Sequence, residues 1–184
     1  MTKIPEVKSL DPYERTAESR CVHLSLASPE DTEGLGANLA RHAPWSSRCG
    51  VLSAYLHGEL GAGKTSLAQA VLRTLGVTGR IPSPSYTLVE PYDTPHGRVL
   101  HIDLYRLNAV DELEALGLRD QWLDCALLLI EWPEKAGPAL PPCDIDIELA
   151  VAGQGRRVTL CGISDRGCEW LGGVCGNAVE GVPR

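Results

Sequence analysis

The chain has no apolar run approaching the ~20 residues that span a bilayer, so no membrane-crossing helix is expected. Residues 1–20, MTKIPEVKSLDPYERTAESR, lack the apolar core of a signal peptide, which predicts a cytoplasmic protein with a disordered polar tail. A basic surplus is also missing. Lys and Arg number 17 against 24 Asp and Glu, for a formal net charge of −7. Such a surface repels nucleic-acid phosphates and argues against DNA or RNA held by this chain alone. There are seven cysteines, an odd number, but no C-x-x-C pair, and no histidine follows His101. A Cys/His zinc site is therefore poorly supported, and reduced thiols are expected in this compartment. Cys161, Cys168 and Cys175 recur at equal spacing, but Gly162, Gly167, Gly172 and Gly173 argue against a helix there. Internal repeats and low-complexity tracts are absent. What remains is an ordinary globular composition, 43% apolar over 184 residues, enough for one domain with a core.

Within it, Val51–Leu75 organises the rest. Val51–Leu56 reads as a buried strand, and Leu67, Ala70, Val71, Thr74 and Leu75 follow helical spacing. Between them Gly58-Glu59-Leu60-Gly61-Ala62-Gly63-Lys64-Thr65 fits G-x-x-x-x-G-K-[ST] in the strand–helix context of a P-loop. Glycines let successive N–H groups turn toward phosphate oxygens, and the helix N-terminus adds its positive dipole end. Lys64 is expected to reach the β- and γ-phosphates, and Thr65 to offer a hydroxyl to Mg²⁺. Gly58, Gly61, Ala62, Gly63 and Ser66 complete the expected cofactor-binding stretch.

Elsewhere the pattern is that of an α/β chain. Cys21–Ala27 alternates as a short strand. Ser28-Pro29-Glu30-Asp31 starts a helix, with Ser28 as N-cap and Pro29 at the first helical position. Ile81–Glu90, with two prolines and three hydroxyl residues, reads as a loop entering a strand near Tyr86–Glu90. Its hydroxyls suit either a plain connector or a segment folding over a γ-phosphate or metal. Arg98–Leu104 is a second buried strand carrying Asp103. Asp111–Leu118 is an acidic helix that resumes at Asp120–Leu123 after a break. Cys125–Ile130 is a third buried strand running into Glu131-Trp132-Pro133. Asp103 is either a turn cap or an acid that orients metal and water. Two strand-end acids beside one P-loop are more specific than either alone, on the edge where open α/β sheets bind ligands. Trp132 is a packing residue, a gate or a contact surface. Asp144–Leu149 and Arg156–Leu160 form a hairpin. The expected fold is a P-loop NTPase-like, mostly parallel sheet flanked by helices, with an antiparallel edge hairpin. It would occupy residues 21–161, followed by a loosely ordered tail over 162–184.

GELGAGKT at Gly58–Thr65, SPSYTLVEPY at Ser83–Tyr92, HIDLYRL at His101–Leu107, ELEALGLRD at Glu112–Asp120 and IEWPEK at Ile130–Lys135 resemble the TsaE family. The resemblance covers roughly Leu24–Leu160. It implies a bacterial P-loop ATPase of tRNA threonylcarbamoyladenosine (t6A) modification, using ATP and Mg²⁺. The implied partners are TsaB-like and TsaD-like proteins, with tRNA reached only through them. It also implies that Thr65 and Glu131 are Mg²⁺ ligands, and that Asp103 takes part in nucleotide and metal binding and in hydrolysis. Lys64 joins these acids in the catalytic set. Ser85 takes the hydroxyl position of a switch-like loop, and the adenine lies between Pro29 and Arg156. Three other readings compete. N-K-x-D, the usual source of guanine specificity, is absent, which weakens a GTPase. A P-loop small-molecule kinase needs clustered lid arginines, and apart from Arg156-Arg157 the arginines are scattered. A nucleotide-dependent assembly module would keep the same site and use ATP for partner affinity.

Overall fold

The computed structural model describes residues 20–45, 50–115 and 117–176. Of the tail expected over residues 1–20, residues 1–19 lie outside the described residues and Arg20 begins a strand; the last eight residues of the expected C-terminal tail also lie outside them. Strands β1 (Arg20–Leu26), β2 (Leu52–His57), β3 (Val89–Thr94), β4 (Gly97–Asp103), β5 (Cys125–Glu131), β6 (Ile145–Ala152) and β7 (Gly155–Gly162) form one sheet in the order β1-β7-β6-β2-β5-β4-β3. The centre, β6-β2-β5-β4, is parallel. Both flanks are antiparallel: β3 folds back on β4, and β7 and β1 continue from β6. "Mostly parallel" therefore holds for the centre alone, and an antiparallel pairing closes each edge rather than one.

Helices α1 (Pro29–His42), α2 (Lys64–Thr74) and α5 (Asp165–Gly176) cover one face, and the short α3 (Asp111–Ala115) and α4 (Leu118–Leu123) the other. The strands alternate to suit both. Leu127 and Leu129 of β5 face α1, α2 and α5, while Leu128 and Ile130 join Leu118 and Trp122 on the opposite side. α1 begins as its sequence dictates. The Ser28 hydroxyl accepts from the Asp31 amide, and the Asp31 carboxylate accepts from the Ser28 amide, a reciprocal capping box. Gly36 lets α1 lie directly on α2: a β-carbon there would meet the Ala70 methyl and the Leu67 carbonyl. This contact holds α2, and with it the loop at its N-terminus, against the sheet.

Three expectations are corrected. The segment after Cys161 is not loose, because β7 runs to Gly162 and α5 follows with Trp170, Leu171 and Val174 buried. Its glycines serve close packing: a side chain at Gly167 would run into the Asp144 carbonyl, and one at Gly173 into His42. The strand expected near Tyr86–Glu90 starts at Val89 instead. A turn comes first, with the Leu88 amide on the Pro84 carbonyl at 2.7 Å and Leu88 at φ 63°. Cys21 and Cys161, expected as thiols, are disulfide-bonded, because the β1/β7 register sets them opposite each other with Cα atoms 4.1 Å apart. Among the described residues no helix is long and apolar enough to cross a membrane.

Candidate functional site

The site grows from the C-terminal ends of β2, β4 and β5, which run parallel and stop together. The chain leaves β2 at His57 and turns through Gly58, Gly61 and Gly63 at φ 134°, 79° and 110°, a region closed to most side chains. Gly58 is further constrained, since a β-carbon there would strike the Leu149 carbonyl of β6. Gly63 is the N-cap of α2, so Lys64, Thr65 and Ser66 form its first turn.

Lys64 is buried. Its Nζ donates to the Gly58 and Glu59 carbonyls at 2.7 and 2.9 Å and stands 3.8 Å from the centre of the Trp132 ring. Burial pulls the ammonium below its ordinary pKa, and the carboxylates of Glu131, Glu134 and Asp103 oppose that pull. Trp132 adopts a left-handed φ of 59° immediately after β5, and its ring also meets Tyr105 at 5.1 Å.

The two strand-end acids face α2 side by side. The β4/β5 register pairs Asp103 with Glu131. Thr65 donates its hydroxyl to Glu131 Oε2 at 2.9 Å, and His101 Nε2 lies 2.8 Å from Glu131 Oε1. Asp103 Oδ2 accepts from the hydroxyls of Ser85 at 2.8 Å and Ser83 at 3.3 Å, while Oδ1 accepts from the Tyr105 amide at 3.0 Å. The Pro/Ser loop is thereby tied to the acid of β4.

A cavity of about 280 Å³ opens between these groups, lined by Leu60, Gly61, Gly63, Lys64, Thr65, Ser66, Ser83, Ser85, Asp103, Tyr105, Glu131 and Trp132. Most of the expected site residues thus meet at one place. Gly58 and Ala62 support the loop from behind. Arg156 holds its outer side, donating through Nε to the Ala62 carbonyl at 2.8 Å and through Nη2 to the Gly61 carbonyl at 3.3 Å. Pro29 is exposed at the start of α1, and neither it nor Arg156 lines the cavity. Ser83, Tyr105 and His101 were not legible as site residues. Ser83 sits in the same hydroxyl-rich loop as Ser85, whereas a single histidine in an apolar strand gives no spacing signal.

The donor set suits a hard cation. Adjacent ligands of an octahedral Mg²⁺ lie about 2.9 Å apart, from metal–oxygen distances of about 2.0–2.1 Å. The Thr65 hydroxyl and Glu131 Oε2 have that separation. Among the described residues no group of three or more His, Cys, Asp or Glu could hold a metal. This is the usual situation for Mg²⁺, which takes one or two carboxylates and completes its shell with phosphate and water.

Comparisons with known proteins agree with one another. The family model described as "Threonylcarbamoyl adenosine biosynthesis protein TsaE" matches residues 26–158. The tRNA threonylcarbamoyladenosine biosynthesis protein TsaE of Haemophilus influenzae is 42% identical over 106 residues, covering 58% of this chain and 67% of that protein. The Aquifex aeolicus protein of the same name is 35% identical over 134 residues, covering 72% of this chain and 89% of its own length. The crystal structure of Bacillus subtilus YdiB shares the fold, with a TM-score of 0.69 over 89% of this chain and 99% of that one, at 21% identity. The matched span holds every residue that lines the cavity and leaves α5 outside. On the extent of the family match, the chain belongs to the TsaE family.

Proposed function

We propose that the chain binds ATP with Mg²⁺ in this cavity and hydrolyses it as the nucleotide-dependent component of t6A biosynthesis, in complex with TsaB-like and TsaD-like proteins. The observation that carries the reading is the convergence, in one cavity, of a buried lysine at a glycine-turned helix N-terminus and two buried carboxylates. Glu131 is 2% exposed and Asp103 3%.

Each residue has a task. The loop from Gly58 to Gly63 and the first turn of α2, including Ser66, take the phosphates through backbone amides and the helix dipole. Lys64 adds the positive side chain, its Nζ leaving the Gly58 and Glu59 carbonyls for phosphate oxygens. Thr65 and Glu131 hold Mg²⁺, and Asp103 stands on the same side of the sheet as a further metal or water contact. Mg²⁺, when bound, offsets the negative charge that moves between the phosphates. Asp103 orients the attacking water and takes its proton at a carboxylate oxygen, and the hydroxyls of Ser83 and Ser85 hold that carboxylate until the water is in place. Pro29 and Arg156 flank the adenine from outside the cavity. This last assignment rests on the family alone.

No arginine lines the cavity among the described residues. An arginine beside the transferred phosphate is worth about 10³–10⁵ in rate where P-loop enzymes have one. Hydrolysis by the isolated chain is therefore slow and rises when its partners bind. The same lack disfavours the small-molecule kinase, which needs clustered arginines over the transferred phosphate. A nucleotide-dependent assembly role uses the identical site and differs only in what hydrolysis accomplishes.

The test is Lys64→Ala, read by ATP titration and by turnover in the presence of the partner proteins. The expected result is a loss of about 100-fold or more in one or both, as for other removed charge-stabilising donors. Wild-type binding and turnover in the variant would overturn the nucleotide reading.

A further inference from the structure

His101 is fully buried in the middle of the sheet. β4 alternates, so His101 points to the same side as Val99 and Asp103, toward α2, while Leu100 and Ile102 point away. Its register partner on β5 is Leu129, two residues before Glu131. That diagonal brings Nε2 to 2.8 Å from Glu131 Oε1. The other ring nitrogen, Nδ1, has no hydrogen-bond partner among the described residues.

This asymmetry carries the argument. A leucine of similar size would fill the space without leaving a buried nitrogen unpaired, which costs free energy. The histidine's contribution therefore lies in its paired nitrogen. An ionised carboxylate can only accept, so with Oε1 at 2.8 Å the proton belongs on Nε2 and the ring donates to Oε1. A glutamate carboxylate otherwise turns freely about its last side-chain torsion, which has broad wells. Here one oxygen is held by His101 and the other by Thr65. The plane of the carboxylate is set before any ligand arrives.

We propose that His101 is a positioning residue whose Nε2–H fixes Glu131 Oε1, so that Oε2 and the Thr65 hydroxyl stay together as a ready-made pair of Mg²⁺ donors. The inference rests on the nucleotide and Mg²⁺ reading of the cavity. Groups that orient a metal ligand from behind typically contribute 10–100-fold in metal affinity. The histidine acts through Glu131 and does not line the cavity.

The experiment is calorimetric titration of ATP into the protein across a range of MgCl₂, without and with the metal, on wild type, Glu131→Gln, His101→Leu, His101→Asn and His101→Gln. Thermal melts serve as the folding control. His101→Leu and His101→Asn remove the donor at the Nε2 position and should raise the Mg²⁺ needed for half-maximal tightening by about 10-fold or more, leaving metal-free ATP affinity unchanged. His101→Gln carries an amide that reaches the Nε2 position and should recover most of the loss. A folded His101→Leu with wild-type Mg²⁺ dependence would overturn the inference. So would equal behaviour of the asparagine and glutamine variants. If Glu131→Gln is equally indifferent to Mg²⁺, the nucleotide and metal reading fails instead. Should no histidine variant fold, ¹⁵N NMR of the wild-type imidazole decides, with a proton on Nε2 supporting the inference and a bare Nε2 ending it.

Discussion

Two buried carboxylate clusters sit at opposite ends of the parallel strands, and their differences separate a scaffold from a site. Asp144, just before β6, accepts from the Ser53 amide at 3.0 Å, from the Ser164 hydroxyl, and from Arg166 Nη2 at 3.0 and 3.2 Å. Its own backbone pairs with Ser53 and Ile163. Both oxygens are occupied, and a fixed guanidinium balances the charge. Glu131, at the far end of β5, has only a hydroxyl and an imidazole on its oxygens among the described residues. Asp103 has two hydroxyls and one amide. Hydroxyl donors can turn away, and the positive charge beside these acids is a lysine that is held by carbonyls and an aromatic ring. One cluster is saturated. The other is satisfied by donors that are free to turn away, as the proposed nucleotide and metal site requires.

The largest expected effect tests this second cluster. Asp103→Asn should leave the melting temperature nearly unchanged and lower turnover by about 10²–10⁴-fold at saturating Mg²⁺, since an amide cannot take a proton from water. Glu131→Gln should instead raise the Mg²⁺ concentration required. The measurement is an Mg²⁺ titration of ATP hydrolysis with partners present. Two stable variants with wild-type rates would erase the contrast with Asp144.

The converse change comes next. Asp144→Ala strips a nearly buried acid from Arg166 and from the start of α5, and should cost about 3 kcal/mol of stability, read by denaturant unfolding. Turnover well below the transition should stay at the wild-type level. A loss of activity without loss of stability would mean that the two ends of the sheet are not independent.

A smaller effect concerns His57, the last residue of β2. Its Nε2 lies 2.9 Å from Asp146 and its Nδ1 3.3 Å from Glu134, in the turn after Trp132. Burial opposes the charged ring, but Asp146 and Glu134 overcome it and raise the pKa from 6.5 to about 9. The folded state therefore binds the proton more tightly than the unfolded one. The resulting stabilisation is complete below pH 6.5 and is lost as pH rises through about 9. His57→Gln should flatten the melting temperature across that window, and an equally steep decline in the variant would refute the assignment.

How much of this was legible in the sequence depended on how local the signal was. The strand, glycine turn and helix around Gly58–Thr65 are contiguous, and Asp103 and Glu131 stand out as acids in otherwise apolar strands. α5 was hidden because its glycines lower helix propensity, and their purpose lies across space: Gly167 against the Asp144 carbonyl, Gly173 against His42. β3 was misplaced because the Leu88 turn, rather than strand propensity, decides where pairing with β4 starts. His101 acquires meaning only from the diagonal to Glu131, which requires the β4/β5 register. Pairing of Cys21 with Cys161 likewise depends on strand order.

That cross-link changes the topology of the unfolded chain. Its two cysteines are 140 residues apart, so the polypeptide between them becomes a closed ring holding the whole family-matched span, 26–158. A ring of that circumference forfeits chain entropy worth about 5 kcal/mol at room temperature. The knot is tied at the outer strand, away from the cavity and its carboxylates. Oxidation therefore burdens the denatured ensemble and adds no constraint at the cavity end of the sheet.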